Sequence, residues 1–88
     1  MLQKPETRQE KITMKHYYAV TTSSEAHDVA YAFDSAKLRA EYLEGYIENG
    51  YWLITAKQAR KYNEIRHYYG KQGNDWFSQL YPKKMWWK

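Results

Sequence analysis

Five cations stand between Ala56 and Lys71 against a single acid, Glu64, a local net charge of five minus one. That equals the formal excess of +4 carried by the whole 88-residue chain, so the positive field is concentrated in one stretch. Read as a helix, the stretch puts Ala59, Tyr62, Ile65 and Tyr69 at three- and four-residue spacing toward a core and turns Lys57, Arg60, Lys61 and Glu64 outward. Lys57, Arg60, Lys61 and Arg66 are then the candidates for steering an anionic partner, with a merely solvated face as the equal alternative. A second candidate is the tail Lys83-Lys84-Met85-Trp86-Trp87-Lys88, where cations alternate with indoles. Such a composition can stack bases and hold phosphates, anchor a protein contact, or fold back over a small core. Burial of at least one indole is expected, because two adjacent exposed indoles invite aggregation.

Other chemistry finds less support. The chain has no cysteine, which excludes thiolate metal ligands and thiol catalysis. His16, His27 and His67 are far apart and none has a second ligand at helical spacing, so no metal site is expected. Ser23 and Ser24 read as turn residues, and the glycines form no phosphate-cradling loop. His67 with Arg66 and Lys71 is a possible acid-base cluster of the sort small basic ribonuclease toxins use. The element order expected here does not match the common toxin family, so no catalytic residue and no cofactor are assigned and the chain is read as non-enzymatic.

The elements that must position these residues follow from periodicity. Residues 1–11 are polar, mixed in charge and interrupted by Pro5, and read as a flexible arm, with Met14 a second plausible start. Residues 12–20 alternate as a strand, Thr21 to Asp28 form a polar loop, and Val29, Tyr31 and Phe33 resume the alternation, which together make an antiparallel hairpin. Asp34 or Ser35 caps a helix that runs to Gly50, with Ala36, Ala40, Leu43 and Ile47 as its buried stripe and Gly45 as a weak point. Tyr51 to Ile54 is a short apolar strand, and Thr55 caps the basic helix. After Gly70 comes a linker, then a short helix from Asp75 to Tyr81, capped by Asn74 and ended by Pro82.

These readings give one domain over residues 12–88, with the tail 71–88 included, and an α+β fold in the order ββαβα. The expected sheet is three-stranded and mainly antiparallel, with two helices on one face, a short C-terminal helix, and Tyr17, Tyr31 or Trp52 on the free face. Ten tyrosines and four tryptophans can each bury a large area, and the tyrosine hydroxyls put many of these rings at the edge of the core or on a contact surface, with ordinary core filler as the alternative for any one of them. No apolar run is long enough to cross a bilayer and no signal-peptide core is visible, so a soluble protein working in the cytoplasm of a host cell is expected.

Residues Tyr17 to Val20, the stretch Ala30 to Gly50 and Ile54 to Tyr62 resemble small proteins encoded in phages and prophages. In those, a hairpin strand ends in an aromatic-Asp or aromatic-Thr pair, a charged helix follows, and a second short strand leads into a helix opening Thr-Ala-Lys. The resemblance spans roughly residues 14–62 and implies an accessory phage function, of which anti-CRISPR inhibition is one kind: binding a Cas protein or ribonucleoprotein complex and blocking it sterically. It carries over no functional residue, and the basic surface departs from acidic DNA mimics. The expected function is therefore a non-enzymatic interaction protein contacting its partner through Lys57, Arg60, Lys61, Arg66, Lys83, Lys84, Trp86 and Trp87. The alternative is a nucleic-acid-binding module built from the basic helix 56–71 and the aromatic tail, and a homodimer is compatible with either.

Overall fold

The computed structural model describes residues 16–87. The arm assigned to residues 1–11, the first residues of the opening strand and Lys88 lie outside the described residues. The elements are β1 (Tyr17–Thr21), α1 (Thr22–Ala26), β2 (Val29–Phe33), α2 (Ala36–Tyr46), β3 (Tyr51–Ile54), α3 (Ala56–Ala59), β4 (Glu64–Gln72), β5 (Asp75–Pro82) and α4 (Lys83–Trp86). The class is α+β.

The strands form a single five-stranded mixed sheet in the order β3-β1-β2-β4-β5. The expected hairpin is present: β1 and β2 pair antiparallel with Ala19 opposite Tyr31. On its other side β1 pairs antiparallel with β3, Ala19 opposite Leu53. β2 pairs with β4 in parallel, Ala30 opposite Ile65, an arrangement that needs the long crossover through α2, β3 and α3.

The three-stranded sheet is thus corrected to five strands, and the reason lies in residues 60–82. The basic helix stops after Ala59, and Glu64–Gln72 continues as a strand antiparallel to Asp75–Pro82. Ile65 and Tyr69 are four apart, a spacing that shares a face in both a helix and a strand. The run His67-Tyr68-Tyr69 favours the strand, since aromatic residues fit a pleated surface. Gly73, at φ +63°, turns the chain tightly between the two strands where a linker and a helix cap at Asn74 were expected.

Both faces of the sheet are covered, which corrects the expectation of two helices on one side. On one face Leu38, Tyr42, Leu43 and Ile47 of α2 and its end pack against Ala19, Phe33 and Tyr68. On the other, Ala59, Tyr62, Trp86 and Trp87 pack against Tyr18, Val20, Ala30, Ala32 and Ile65. Tyr31 therefore belongs to a core, its ring 5.3 Å from that of Tyr68. Tyr17 lies 5.5 Å beneath the Arg39 guanidinium. Trp52 remains substantially exposed, on the edge strand β3.

Local chemistry explains the helix starts. Ser35 accepts a hydrogen bond from Leu38 N at 3.0 Å, and Thr55 accepts one from Gln58 N at 3.2 Å while Gln58 Oε1 accepts from Thr55 N at 2.9 Å. The same reciprocal pair between Thr21 and Ser24 builds α1 inside the segment read as a loop. α2 ends at Tyr46, short of Gly50, and its Ala36 and Ala40 are exposed rather than buried. Among the described residues no helix is long and apolar enough to cross a membrane.

Candidate functional site

The strand order creates the site. β2 lies between β1 and β4, so the start of β1, the end of β2 and the middle of β4 meet: Phe33 is opposite both Tyr17 and Tyr68. His16 immediately precedes β1, Asp34 immediately follows β2, and His67 sits beside Tyr68 on β4. His67 Nε2 donates to Asp34 Oδ1 at 2.6 Å, and His16 Nε2 lies 3.5 Å from the same oxygen. The imidazole centroids are 5.0 Å apart and nearly perpendicular. The side chains of His16 and His67 are 10% and 16% exposed, whereas Asp34 is 44% exposed, so the carboxylate opens the cluster to solvent.

Trp86 forms a wall of this cluster, its ring centred 4.8 Å from His16, 5.1 Å from His67 and 5.3 Å from Tyr81. α4 is held there by Lys83 N donating to Asn63 O at 2.9 Å and by the indole N–H of Trp86 donating to Tyr18 Oη at 3.2 Å. Trp87 packs 5.9 Å from the Tyr18 ring, and the Arg60 guanidinium lies 4.6 Å over Trp87. These side chains, with Met85, line an open cleft of about 620 Å³. Burial pushes the Tyr18 hydroxyl pKa up, against the opposing effects of the Trp86 donor and the Arg60 charge, so Tyr18 stays protonated at neutral pH.

Of the residues expected to carry function, the structure gathers Arg60, Trp86 and Trp87 in this cleft. Lys57 and Lys61 are exposed on α3 and the turn after it, and Lys84 is exposed on α4 while Lys83 is half-buried. Arg66 goes elsewhere: it shares the Tyr68 side of β4 and donates to Ser78 Oγ at 3.0 Å, away from the cleft. The single basic helix face does not exist, because its helix ends before Arg60. Among the described residues Lys57, Arg60, Lys61, Lys83 and Lys84 form no ion pair with a carboxylate; Lys71 meets Glu41 at 3.9 Å.

Sequence reasoning missed His16, Asp34, His67, Tyr18 and Tyr81 as a group. Their separation in the chain argued against convergence; the β1–β2 hairpin sets His16 beside Asp34, the parallel pairing of β2 with β4 adds His67, and β5 brings Tyr81. Chemically the group offers two imidazoles and a carboxylate at one point, a cation on an aromatic surface nearby, and a cleft volume within the roughly 300–1,000 Å³ of small-ligand sites. Comparison with family models, with curated proteins and with solved structures finds no match for this chain.

Proposed function

We propose that the protein is a non-enzymatic binding module that takes single-stranded nucleic acid in the cleft that Arg60, Trp86 and Trp87 line. The observation that supports this best is the Arg60 guanidinium lying 4.6 Å over Trp87, beside Trp86 and within a cleft whose remaining lining, Met85 apart, is aromatic. Single-strand binders join cations that hold the backbone to rings on which bases stack, and each stacked base contributes about 1–3 kcal/mol. Lys57 and Lys61 flank Arg60 in the chain and Lys84 precedes the two indoles, which adds positive charge along the same two segments. Titration of the protein with short single-stranded oligonucleotides at near-physiological salt tests the reading. Micromolar binding with quenching of tryptophan fluorescence is expected, weaker for duplexes, and absence of quenching on any single strand overturns it.

A protein partner is the second reading, and the edge strand β3 favours it. Leu53 is 54% exposed and Trp52 41%, and among the described residues β3 is an edge strand of the kind to which another chain adds a strand. A bacterial defence complex as that partner rests on the resemblance to phage proteins alone. Retention of a candidate partner by the wild-type chain and its loss in Leu53→Lys is the expected result under this reading.

A further inference from the structure

We infer that His16, Asp34 and His67 form a binding site for zinc(II). Their ligand atoms all lie within 4.8 Å of one another, and two of the three spans are 2.6 and 3.5 Å. Ligand bonds of about 2.0–2.2 Å in a tetrahedral zinc site place neighbouring ligand atoms about 3.3–3.5 Å apart. The His16 to Asp34 span is already in that range. The His67 to Asp34 span must open by less than about 1 Å, which torsions of the exposed carboxylate can supply, and the two imidazole nitrogens, within 4.8 Å of each other, must close by up to about 1.5 Å through rotation of the rings.

The donor set fits the ion: two imidazole nitrogens and one carboxylate oxygen are borderline ligands that suit zinc better than calcium or magnesium, which take oxygen cages. Both imidazoles approach one carboxylate oxygen, His67 at 2.6 Å and His16 at 3.5 Å, and an ion seated among the three ligand atoms would bind all of them. The scaffold is fixed in advance, because the ligands come from the ends of two paired strands and the middle of a third. Trp86 packs against both imidazole rings and limits their rotation. Asp34 supplies the entry path from solvent, and both imidazoles line the cleft, so the fourth position is open to water or to an anionic oxygen of a bound molecule.

The site stands independently of nucleic-acid binding, and the experiment separates the two. The full chain, stripped with a chelator, is titrated with zinc chloride and followed by calorimetry, thermal melting and imidazole nitrogen NMR. One ion per chain, a raised melting temperature and shifted resonances of His16 and His67 but not His27 are expected. Cobalt(II) in place of zinc gives the visible absorption of a four-coordinate site. His16→Ala and His67→Ala each weaken uptake at least tenfold, and His27→Ala leaves it unchanged. Should the histidine variants fold poorly, Asp34→Asn keeps the side chain's size and loses zinc affinity by a similar factor. No uptake by the stripped wild type, or uptake undiminished in Asp34→Asn with the His16 and His67 resonances unmoved, overturns the assignment. Oligonucleotide titration of the stripped protein reports on the cleft separately.

Discussion

The indole N–H of Trp86 donates to the hydroxyl of Tyr18 across 3.2 Å, joining positions 68 apart in the chain. The C-terminal segment is thereby fastened to β1, the first strand of the hairpin, and the cleft acquires a wall that the strands alone do not provide. Tyr18→Phe removes the acceptor while keeping the ring, so a loss of about 1 kcal/mol is expected. Trp86→Ala removes the ring packed on His16, His67 and Tyr81 as well, and about 2–4 kcal/mol is expected for this half-buried side chain. Urea unfolding of the two variants checks the order, and equal losses would contradict it.

Arg60 and Arg66 carry the same charge in the same short stretch, but the structure puts them in different places. Arg60 lies over Trp87 in the cleft, and Arg66 donates to Ser78 on the other side of the sheet. Reversal of Arg60 to Glu is expected to weaken single-strand binding at least tenfold, about 1.4 kcal/mol, and to lower the salt dependence by about one phosphate contact. Arg66→Glu changes it by less than about threefold in affinity. Fluorescence titrations at two salt concentrations measure both; equal effects of the two reversals would mean that only net charge matters.

That contrast also shows how much of the molecule was legible in the sequence. The first hairpin, the helix capped by Ser35, the strand Tyr51–Ile54 and the cap at Thr55 all follow from local alternation and side-chain hydrogen bonding, and the structure has them. Residues 64–82 were misread because Ile65 and Tyr69 satisfy both periods at once, and because the choice depends on β2, a partner some thirty residues earlier that no local signal reveals. The candidate site shared that fate. Trp86, Trp87 and Arg60 declare themselves by type, whereas His16, Asp34 and His67 become neighbours only once the parallel pairing is known.

On the opposite face Tyr68 donates to Tyr42 across 3.0 Å within a cluster of rings that includes Phe33 and Trp76. Burial raises the Tyr42 hydroxyl pKa, with the Tyr68 hydrogen bond and the Arg66 charge opposing and Tyr31 adding to the rise. Because the folded pKa exceeds the ordinary value of about 10, the unfolded chain loses its proton first as pH rises. The stability this protonated hydroxyl contributes is complete below pH about 10 and declines above it. Tyr42→Phe is expected to cost about 1 kcal/mol at neutral pH, since Tyr68 loses its acceptor, and to lose less stability than the wild type on going from neutral to strongly alkaline pH. Parallel declines for the two proteins would show that Tyr42 does not contribute to the alkaline limb.

Gly45 and Gly73 separate backbone effects from packing, because among the described residues neither has an atom from beyond its own local backbone within 4 Å of where a Cβ would stand. Gly45 is exposed in α2 with ordinary helical geometry, and it stands there as the weak point that its missing side chain predicts. Alanine at that position narrows the unfolded ensemble and favours the helix, and a gain of about 0.5–1 kcal/mol is expected. Gly73 holds φ at +63° in the turn from β4 to β5, where a Cβ meets its own backbone, so Gly73→Ala is expected to lose about 1–2 kcal/mol. Gly73→Asn loses less, since asparagine tolerates that region. Thermal melts of the three variants give the test: a neutral Gly73→Ala would mean that the hairpin turn tolerates a right-handed alternative, and with it that β4 and β5 are held in register by cross-strand pairs rather than by the turn.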